Sequence, residues 1–273
     1  MIKAAVIGHP ISHSLSPLIH GYWFKQHGID GDYQAIDIAP HDLIARTNAL
    51  RQDGYAGFNV TVPHKQAIMD CCDVLDDTAR AIGAVNTVVI KKGKIEGRNT
   101  DAFGYIGNLK QTLPAFDFKT GPALVLGAGG AARAVIYGLL AEGVPEIRLA
   151  NRTRDNADTL ARDFKNVRVV DWDNRAAACE DANLLSNTTV LGMKGQAALD
   201  MDLSKLPDHA SVYDIVYKPL HTQLLLDAKA RGLPVVTGIG MLLHQARPAF
   251  AAWTGIMPDV TNELNAMIAE RAL

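Results

Sequence analysis

Residues 123–141 constrain the fold of this chain more than any other segment. A short strand of apolar residues, Ala123–Leu126, leads into a glycine-rich turn, and a helix made largely of small residues follows. The turn consists of Gly127, Ala128, Gly129, Gly130, Ala131 and Ala132. A wholly apolar strand is typical of a parallel sheet that helices cover on both faces. We therefore expect a doubly wound α/β unit with this strand inside its sheet.

The glycine-rich turn fits the pattern G-x-G-x-x-[G/A] of dinucleotide-binding units. In that pattern Gly127 permits the tight turn, Gly129 lets the backbone approach a pyrophosphate, and Ala132 keeps the helix close to the sheet. The start of the helix offers free N–H groups and the positive end of its dipole to phosphate. Because glycines also form ordinary turns, the prediction depends on the strand before the motif and the helix after it.

The strand that follows distinguishes two dinucleotides. In NAD-binding units an acidic residue at the C-terminal end of this strand binds the ribose hydroxyls. Here the strand leads instead into a basic turn, which consists of Asn151, Arg152, Thr153 and Arg154. A carboxylate would repel a 2′-phosphate, whereas guanidinium groups bind one through planar, bidentate hydrogen bonds. The turn therefore favours NADP over NAD, and the alternative interpretation is a solvated basic turn.

Composition excludes several classes of protein. The chain has 273 residues, 48% of them hydrophobic, a length that suggests about two domains. With 27 Lys and Arg against 29 Asp and Glu, the net charge of -2 gives no basic surface for nucleic acid or an anionic membrane. No apolar stretch is long enough to span a bilayer, and the N-terminal residues do not resemble a signal peptide. We expect a cytoplasmic protein.

The spacing of cysteine and histidine argues against a metal site. Cys71, Cys72 and Cys179 form no C-x-x-C pair, and the nine histidines show no H-E-x-x-H or similar spacing. We therefore predict neither a disulfide framework nor a bound metal, as is usual in a reducing compartment.

Strand-like and helix-like segments alternate along almost the whole chain, which predicts an α/β fold with largely parallel sheets. Residue 101 ends a first domain, and residues 102–237 form a second, Rossmann-like one. Residues 238–273 are mostly helical and are expected to pack back on the first domain, which makes it discontinuous. The predicted strands lie at 3–8, 33–38, 57–62, 85–90, 95–98, 123–126, 147–150, 167–170, 184–187, 212–215 and 235–237.

Three local predictions in the first domain are specific enough to test. Ser16 suits the N-cap of a first helix, with Pro17 at its first helical position. Residues 65–73 read as helical. The segments 85–90 and 95–98 are predicted to form a hairpin around Lys92 and Gly93.

Several polar residues outside the glycine turn suit chemistry on a small molecule. Asn59 and Thr61 lie on the same side of a predicted strand, which Pro63 ends. Lys65 falls at the start of a predicted helix, where an ammonium group faces the unfavourable end of the dipole. From its position alone, Lys65 is more simply interpreted as an exposed lysine.

Other candidate residues also have simple structural alternatives. Asp101 is placed to cap the helix that follows it, Asn86 to close a turn, and Ser16 to cap its own helix. Ser14 can bond a nearby loop, and Gln245 can be exposed on a helix. Taken together, however, these hydroxyl, amide and ammonium groups suit a polyhydroxy acid.

A set of motifs that covers nearly the whole chain reveals a family resemblance. The motifs are G-H-P at 8–10, H-S-L-S-P at 13–17, N-V-T-V-P-H-K at 59–65, G-A-V-N-T at 83–87, N-T-D at 99–101, G-A-G-G-A-A-R at 127–133, N-R-T-R at 151–154, N-T-T-V-L-G-M at 187–193, D-I-V-Y-K-P at 214–219 and G-M-L-L-H-Q-A at 240–246. In this combination and order the chain resembles the shikimate dehydrogenase family.

The resemblance implies a reversible, NADPH-dependent reduction of 3-dehydroshikimate to shikimate, a step towards chorismate and the aromatic amino acids. Residues 1–101 with 238–273 would form the substrate-binding and catalytic domain, and residues 102–237 would bind NADP, with a cleft that excludes water on closing. Lys65 and Asp101 would be the catalytic pair. The substrate would be bound by Ser14, Ser16, Asn59, Thr61, Lys65, Asn86, Asp101, Tyr217 and Gln245. The cofactor would be bound by Gly127, Ala128, Gly129, Gly130, Ala131, Asn151, Arg152, Thr153, Arg154, Thr188, Ile215, Gly238 and Met241.

The resemblance leaves two alternative functions open. One is a quinate/shikimate dehydrogenase with broader substrate use and often an NAD preference, against which Arg152 and Arg154 argue. The other is a non-catalytic NADP-binding sensor, which would not need Lys65 and Asp101. Thr188 and Val190 depart from the family, which more often has Ala and Ser or Pro there. We expect a small-molecule substrate and no nucleic acid or membrane partner, and the oligomeric state stays open between monomer and homodimer.

Overall fold

The computed structural model describes residues 1–272, which form two compact units. One unit comprises Met1–Asp101 and Leu243–Ile268, and the other comprises Ala102–Leu242 and the residues from Ala269 onwards. The sequence places the second boundary at residue 237, whereas residues 238–242 belong to the second unit. No loop marks the division, because one uninterrupted helix covers Gly238–Thr254.

The first unit is built on a six-stranded mixed sheet, with the strand order β2-β1-β3-β5-β6-β4. Its strands are β1 (Ile2–Gly8), β2 (Gly31–Asp37), β3 (Gly57–Val60), β4 (Val74–Leu75), β5 (Thr87–Lys91) and β6 (Lys94–Arg98). β1 pairs parallel with β2 and β3, and β4 with β6, whereas β3–β5 and β5–β6 are antiparallel. The predicted hairpin is confirmed: Lys92 and Gly93 form its two-residue turn, with positive φ angles of 49° and 73°.

Two local predictions in this unit are wrong. The helices are α1 (Ser16–Gln26), α2 (Leu43–Gln52) and α3 (Asp77–Ile82), with short 3-10 turns at Pro40–Asp42 and Ala67–Cys71. Ser16 is the first residue of α1 rather than its N-cap, and it makes no side-chain capping bond. Residues 65–73 form no α-helix, because the Lys65 carbonyl accepts the backbone N–H of Val85 (2.7 Å) instead of a helical donor.

The second unit contains an entirely parallel sheet, with the strand order β12-β11-β10-β7-β8-β9. Its strands are β7 (Ala123–Leu126), β8 (Ile147–Ala150), β9 (Val167–Val170), β10 (Leu184–Asn187), β11 (Ser211–Asp214) and β12 (Val235–Val236). Its helices are α5 (Gly130–Ala141), α6 (Arg154–Ala161) and α7 (Gln223–Ala230). Three helices have residues in both units: α4 (Asp101–Thr112), α8 (Gly238–Thr254) and α9 (Asn262–Ala272). The order reverses beside β7, and ligands of doubly wound sheets bind at such a reversal.

The apolar side chains of β7 show that both faces of this sheet are buried. Ala123 and Val125 belong to one buried apolar cluster, whereas Leu124 and Leu126 belong to another. Alternate residues of a strand point to opposite faces, so helices and loops cover both faces of the sheet. The predicted α/β class with two domains is confirmed. Within residues 1–272, no helix is long and apolar enough to cross a membrane.

The packing of Gly57 gives a direct test of the first unit. A Cβ there would lie 2.0 Å from the Val88 carbonyl oxygen and 2.2 Å from Trp253 Nε1, two atoms joined by a 3.0 Å hydrogen bond. Gly57→Ala should lower the free energy of unfolding by about 2–3 kcal/mol through overpacking. Gly21→Ala is the matched control: it has no heavy atom within 4 Å of the added carbon and should raise stability by about 0.5–1 kcal/mol. Urea unfolding measures both, and equal effects would contradict this close packing.

Candidate functional site

A lysine and a carboxylate meet in the first unit. Lys65 follows β3 in a turn, Asp101 is the first residue of α4, and Lys65 Nζ lies 2.5 Å from Asp101 Oδ2. The side chains are only 16% and 6% exposed. The N-terminal end of a helix favours a carboxylate, and a charge-assisted hydrogen bond of this kind is stronger than a neutral one.

Asn86 holds the second oxygen of that carboxylate. It directly precedes β5, and its Nδ2 donates to Asp101 Oδ1 at 2.8 Å. The same amide nitrogen lies 3.2 Å from Gln245 Oε1 on α8 and 2.9 Å from Thr100 Oγ1. Its Oδ1 accepts the backbone N–H of Thr100 at 2.8 Å. Both oxygens of Asp101 are therefore bonded by protein groups.

Asn59 lies deeper in the same cluster and is 5% exposed. Its Nδ2 donates to the Asn86 carbonyl at 3.2 Å and to Thr87 Oγ1 at 3.0 Å. Its Oδ1 accepts the hydroxyl of Tyr33 at 2.7 Å. Both amide protons are thus used within the protein, so Asn59 has no N–H left to donate to a ligand.

The three predicted hydroxyl groups are less tightly engaged. Ser14 Oγ accepts the backbone N–H of Ser16 at 3.3 Å. Ser16 is buried beside the Tyr33 phenol, and Thr61, half-buried, immediately follows β3.

Of the predicted site residues, the structure joins five in one hydrogen-bonded cluster: Lys65, Asp101, Asn86, Asn59 and Gln245. The predicted substrate residue Tyr217 belongs to the second unit.

The glycine turn of the second unit has the features that a pyrophosphate requires. Gly127 has a φ of +106°, and a Cβ there would lie 2.7 Å from Thr188 Oγ1, so only glycine fits. Gly129 is exposed, and a Cβ on it would meet no heavy atom within 4 Å. α5 begins at Gly130 without a side-chain cap, and the first N–H groups of a helix, here including that of Ala131, have no intrahelical acceptor.

The basic turn after β8 presents two arginines in different states. Arg154 pairs with Asp158 at 3.4 Å and with Asp171. Arg152 is exposed and forms no ion pair with any residue in the described part of the chain. Asn151 Nδ2 donates to the Thr153 carbonyl at 2.7 Å, which shapes the turn. Arg152 thus has the guanidinium that is available to a phosphate.

Asp214, at the end of β11, organises the neighbouring loops, and sequence analysis assigned it no role of its own. Its Oδ1 accepts Asn187 Nδ2 at 2.9 Å and the Val216 N–H at 3.0 Å, and its Oδ2 accepts the Thr222 hydroxyl at 2.6 Å. Burial raises its pKa to about 6, although these hydrogen bonds oppose the shift. In the sequence, the signal that could have revealed this role is a carboxylate at the end of the largely apolar strand β11.

Three further predicted cofactor residues lie after β11 or in the first turn of α8: Ile215, Gly238 and Met241. Tyr217 also follows β11. A Cβ on Gly238 would lie 2.2 Å from the Ile215 carbonyl oxygen, so glycine permits this close approach. Met241 is buried in the apolar cluster that Ile215 borders. Tyr217 is half-buried, and burial raises the pKa of its phenol. Among residues 1–272, no three His, Cys, Asp or Glu side chains are grouped to hold a metal.

An all-parallel doubly wound sheet with this turn defines an α/β protein of the dinucleotide-binding class. Family models match residues 6–88 (shikimate dehydrogenase substrate binding domain), 109–190 (shikimate / quinate 5-dehydrogenase) and 238–262 (shikimate 5′-dehydrogenase C-terminal domain). A shikimate dehydrogenase (NADP(+)) of Paramagnetospirillum magneticum is 55% identical over 97% of both chains. The chain belongs to the shikimate dehydrogenase family, as its motifs predicted.

Solved structures of the family agree with this assignment. A shikimate 5-dehydrogenase of Thermus thermophilus, in complex with NADP(H) and shikimate, is 40% identical, with a TM-score of 0.89 and 100% of both chains covered. A quinate dehydrogenase of Corynebacterium glutamicum, in complex with NAD, is 31% identical, with a TM-score of 0.89 over 99% of this chain and 98% of that one. The fold is therefore shared by relatives that differ in substrate and dinucleotide.

The raised pKa of Asp214 makes stability depend on pH. Between about pH 4 and pH 6 the folded state holds a proton that the unfolded state has released, so this stabilisation is lost as pH rises through the folded pKa. Relative to Asp214→Asn, the unfolding free energy of the wild type should fall by about 2–3 kcal/mol from pH 4 to pH 7. Urea unfolding across this range measures it. The exposed control Asp173→Asn should run parallel to the wild type, and an equal pH slope for Asp214→Asn would refute the effect.

Proposed function

We propose that this protein is an NADP-dependent shikimate dehydrogenase that reversibly reduces 3-dehydroshikimate to shikimate, in the biosynthesis of chorismate and the aromatic amino acids. The observation that carries the proposal is the buried Lys65–Asp101 pair, with Asn86 bonded to the second carboxylate oxygen. A non-catalytic sensor would not need a buried pair of ammonium and carboxylate groups, and burying two charges costs free energy. The names and structures of the relatives support the same reaction.

Lys65 and Asp101 are suited to the proton transfer that a carbonyl reduction needs. NADPH, when bound, supplies the hydride that reaches the carbonyl carbon. The Lys65 ammonium can hydrogen-bond the carbonyl oxygen, stabilise the charge that develops there and deliver a proton to it. In the reverse direction the neutral amine takes that proton from the hydroxyl. Asp101 fixes the ammonium by its 2.5 Å hydrogen bond, so the two groups act as one coupled unit.

The remaining polar groups of the first unit suit a hydroxylated carboxylic acid. We assign the carboxylate to the hydroxyls of Ser14 and Ser16, and the ring hydroxyls to Thr61, Asn86 and Gln245, while the role of Tyr217 stays a prediction from the sequence. Asn59 contributes at most an acceptor, because both its amide protons are bonded within the protein. Its role is mainly to order the residues that contact the substrate.

The second unit suits NADP. The uncapped start of α5 beside the exposed Gly129 offers the donors that a pyrophosphate needs. Arg152, which lies between Asn151 and Thr153 in the basic turn, offers the cation for a 2′-phosphate. We assign the second unit, with residues 102–242, to cofactor binding and the first unit to substrate binding and catalysis. The three free thiols suit the reducing cytoplasm that we propose as its location.

A steady-state assay that follows absorbance of the reduced dinucleotide tests the function. Shikimate and quinate are each supplied with NADP and with NAD. Efficient turnover only of shikimate with NADP is expected. Comparable kcat/KM for quinate would favour the quinate/shikimate alternative, and the absence of turnover with every pair would favour the sensor.

Replacement of the lysine tests its catalytic role. Lys65→Ala should lower kcat by about 10² or more, the usual effect of losing an acid–base group, with a smaller effect on the KM for shikimate. The control Lys91→Ala removes an exposed lysine at the end of β5 and should leave both constants unchanged. A kcat for Lys65→Ala near that of the control would disprove the role.

The two arginines of the basic turn should contribute unequally to phosphate recognition. Arg152→Ala should weaken binding of 2′,5′-ADP by about tenfold or more, because a charge-assisted hydrogen bond is lost. Arg154→Ala should weaken it by less than about threefold, because Asp158 and Asp171 already balance that charge. Calorimetric titration measures both, with 5′-AMP as the ligand that lacks the phosphate. Equal losses would show that Arg154 exchanges its partners for the ligand.

A further inference from the structure

We propose that Tyr33 is a positioning residue: its buried hydroxyl fixes the amide of Asn59 and, through Thr87 and Asn86, the carboxylate of Asp101. The kinetic part of this inference rests on the function proposed above. The hydrogen-bonded chain itself lies wholly within the first unit and can be tested without any substrate.

The chain begins at a phenol that is held in place and keeps its proton. Tyr33 lies on β2, is 7% exposed, and donates to Asn59 Oδ1 at 2.7 Å. The His20 ring stacks on it at 4.1 Å with an interplanar angle of 5°. Burial raises the pKa of Tyr33 well above its ordinary value and lowers that of His20 to about 3. At neutral pH the phenol is therefore a donor beside an uncharged ring.

The orientation of the Asn59 amide follows from its neighbours. The Asn86 carbonyl can only accept, so the NH₂ group of Asn59 must face it, at 3.2 Å. The amide oxygen then faces Tyr33, whose hydroxyl must donate. With the hydroxyl removed, this buried oxygen would lose its donor at 2.7 Å, and of the groups on its oxygen side the amide would keep the His20 ring.

Thr87 passes the orientation on to Asn86. Its hydroxyl accepts from Asn59 Nδ2 at 3.0 Å and has one proton to donate, for which Asn86 Oδ1 at 3.0 Å is the nearer acceptor and Thr100 Oγ1, at 3.3 Å, the more distant one. Asn86 Nδ2 then donates to Asp101 Oδ1 at 2.8 Å. All four hydrogen bonds from Tyr33 to Asp101 run in the same direction, and hydrogen bonds aligned in this way strengthen one another.

A second contact limits how much the chain controls. The backbone N–H of Thr100 also donates to Asn86 Oδ1, at 2.8 Å, so the Asn86 amide is held from two sides. Loss of the Tyr33 hydroxyl should therefore loosen the placement of Asp101 without abolishing it. The expected effect on catalysis is moderate and smaller than that of removing Lys65.

Tyr33→Phe removes the hydroxyl and keeps the ring. We expect kcat with shikimate and NADP to fall about tenfold, with most of the loss in kcat rather than in KM, because the affected group acts on proton transfer. Tyr55→Phe is the matched control, since its hydroxyl donates to the exposed Gln34 at 3.3 Å. A kcat within twofold of the control, or a loss confined to KM, would overturn the proposal.

Variants of Thr87 test the chain at its next step and serve also where Tyr33→Phe fails to fold. Thr87→Val removes the hydroxyl at nearly constant volume and should lower kcat as Tyr33→Phe does, whereas Thr87→Ser should restore activity. The double variant Tyr33→Phe/Thr87→Val should lose no more than the larger single loss, because both act through one chain. Additive losses, or no rescue by serine, would overturn the proposal.

A spectroscopic measurement separates this inference from the proposed function. In the ligand-free protein, Tyr33→Phe should shift the side-chain amide ¹H–¹⁵N resonances of Asn86, and Tyr55→Phe should leave them in place. Shifted resonances in a protein that does not oxidise shikimate would support the positioning and refute the function. Unshifted resonances would refute the positioning, whatever the activity.

Discussion

The ion pair of Lys65 and Asp101 imposes the main constraint on the first unit. With side chains only 16% and 6% exposed, the ammonium and the carboxylate have lost most of their water, and protein groups must replace it. Asp101 meets this requirement with one oxygen on Lys65 and the other on Asn86, at the end of a helix whose dipole favours negative charge. The polar groups around the pair are therefore a condition for its existence.

Strand register supplies these polar groups at the required positions. β3 and β5 are antiparallel, and Asn59 faces Thr87 directly across the pair. Residues that face each other in this way have side chains on the same face of the sheet, within hydrogen-bonding reach. Asn86 immediately precedes β5, and the antiparallel register of β5 with β6, in which Thr87 pairs with Arg98, brings Asn86 beside Thr100 and Asp101. A shift of one residue would turn the polar side chains to the opposite face.

Sequence reasoning succeeded where local signals decide the structure. The bounds of β7 to β10 match the predicted strands, because a short apolar segment between polar turns is a local pattern. The family, the fold class and the polar residue types of the site were likewise readable from motifs. Contacts between distant parts of the chain could not be predicted from the sequence. The contacts concerned join residues far apart in sequence: the bond between Val85 and Lys65 that prevents a helix, the ion pair of Arg154 with Asp171, and the hydrogen bond from Tyr33 to Asn59.

The discontinuity of the first unit affects how the molecule is made. Residues 243–268 complete it: the Trp253 indole, for example, donates to the Val88 carbonyl at 3.0 Å. During synthesis, residues 1–101 therefore leave the ribosome without part of their own core, while residues 102–242 follow with their whole parallel sheet. Since domains fold as units during translation, the part that emerges second can settle first. The part that emerges first can complete its core only after residues 243–268 have been made.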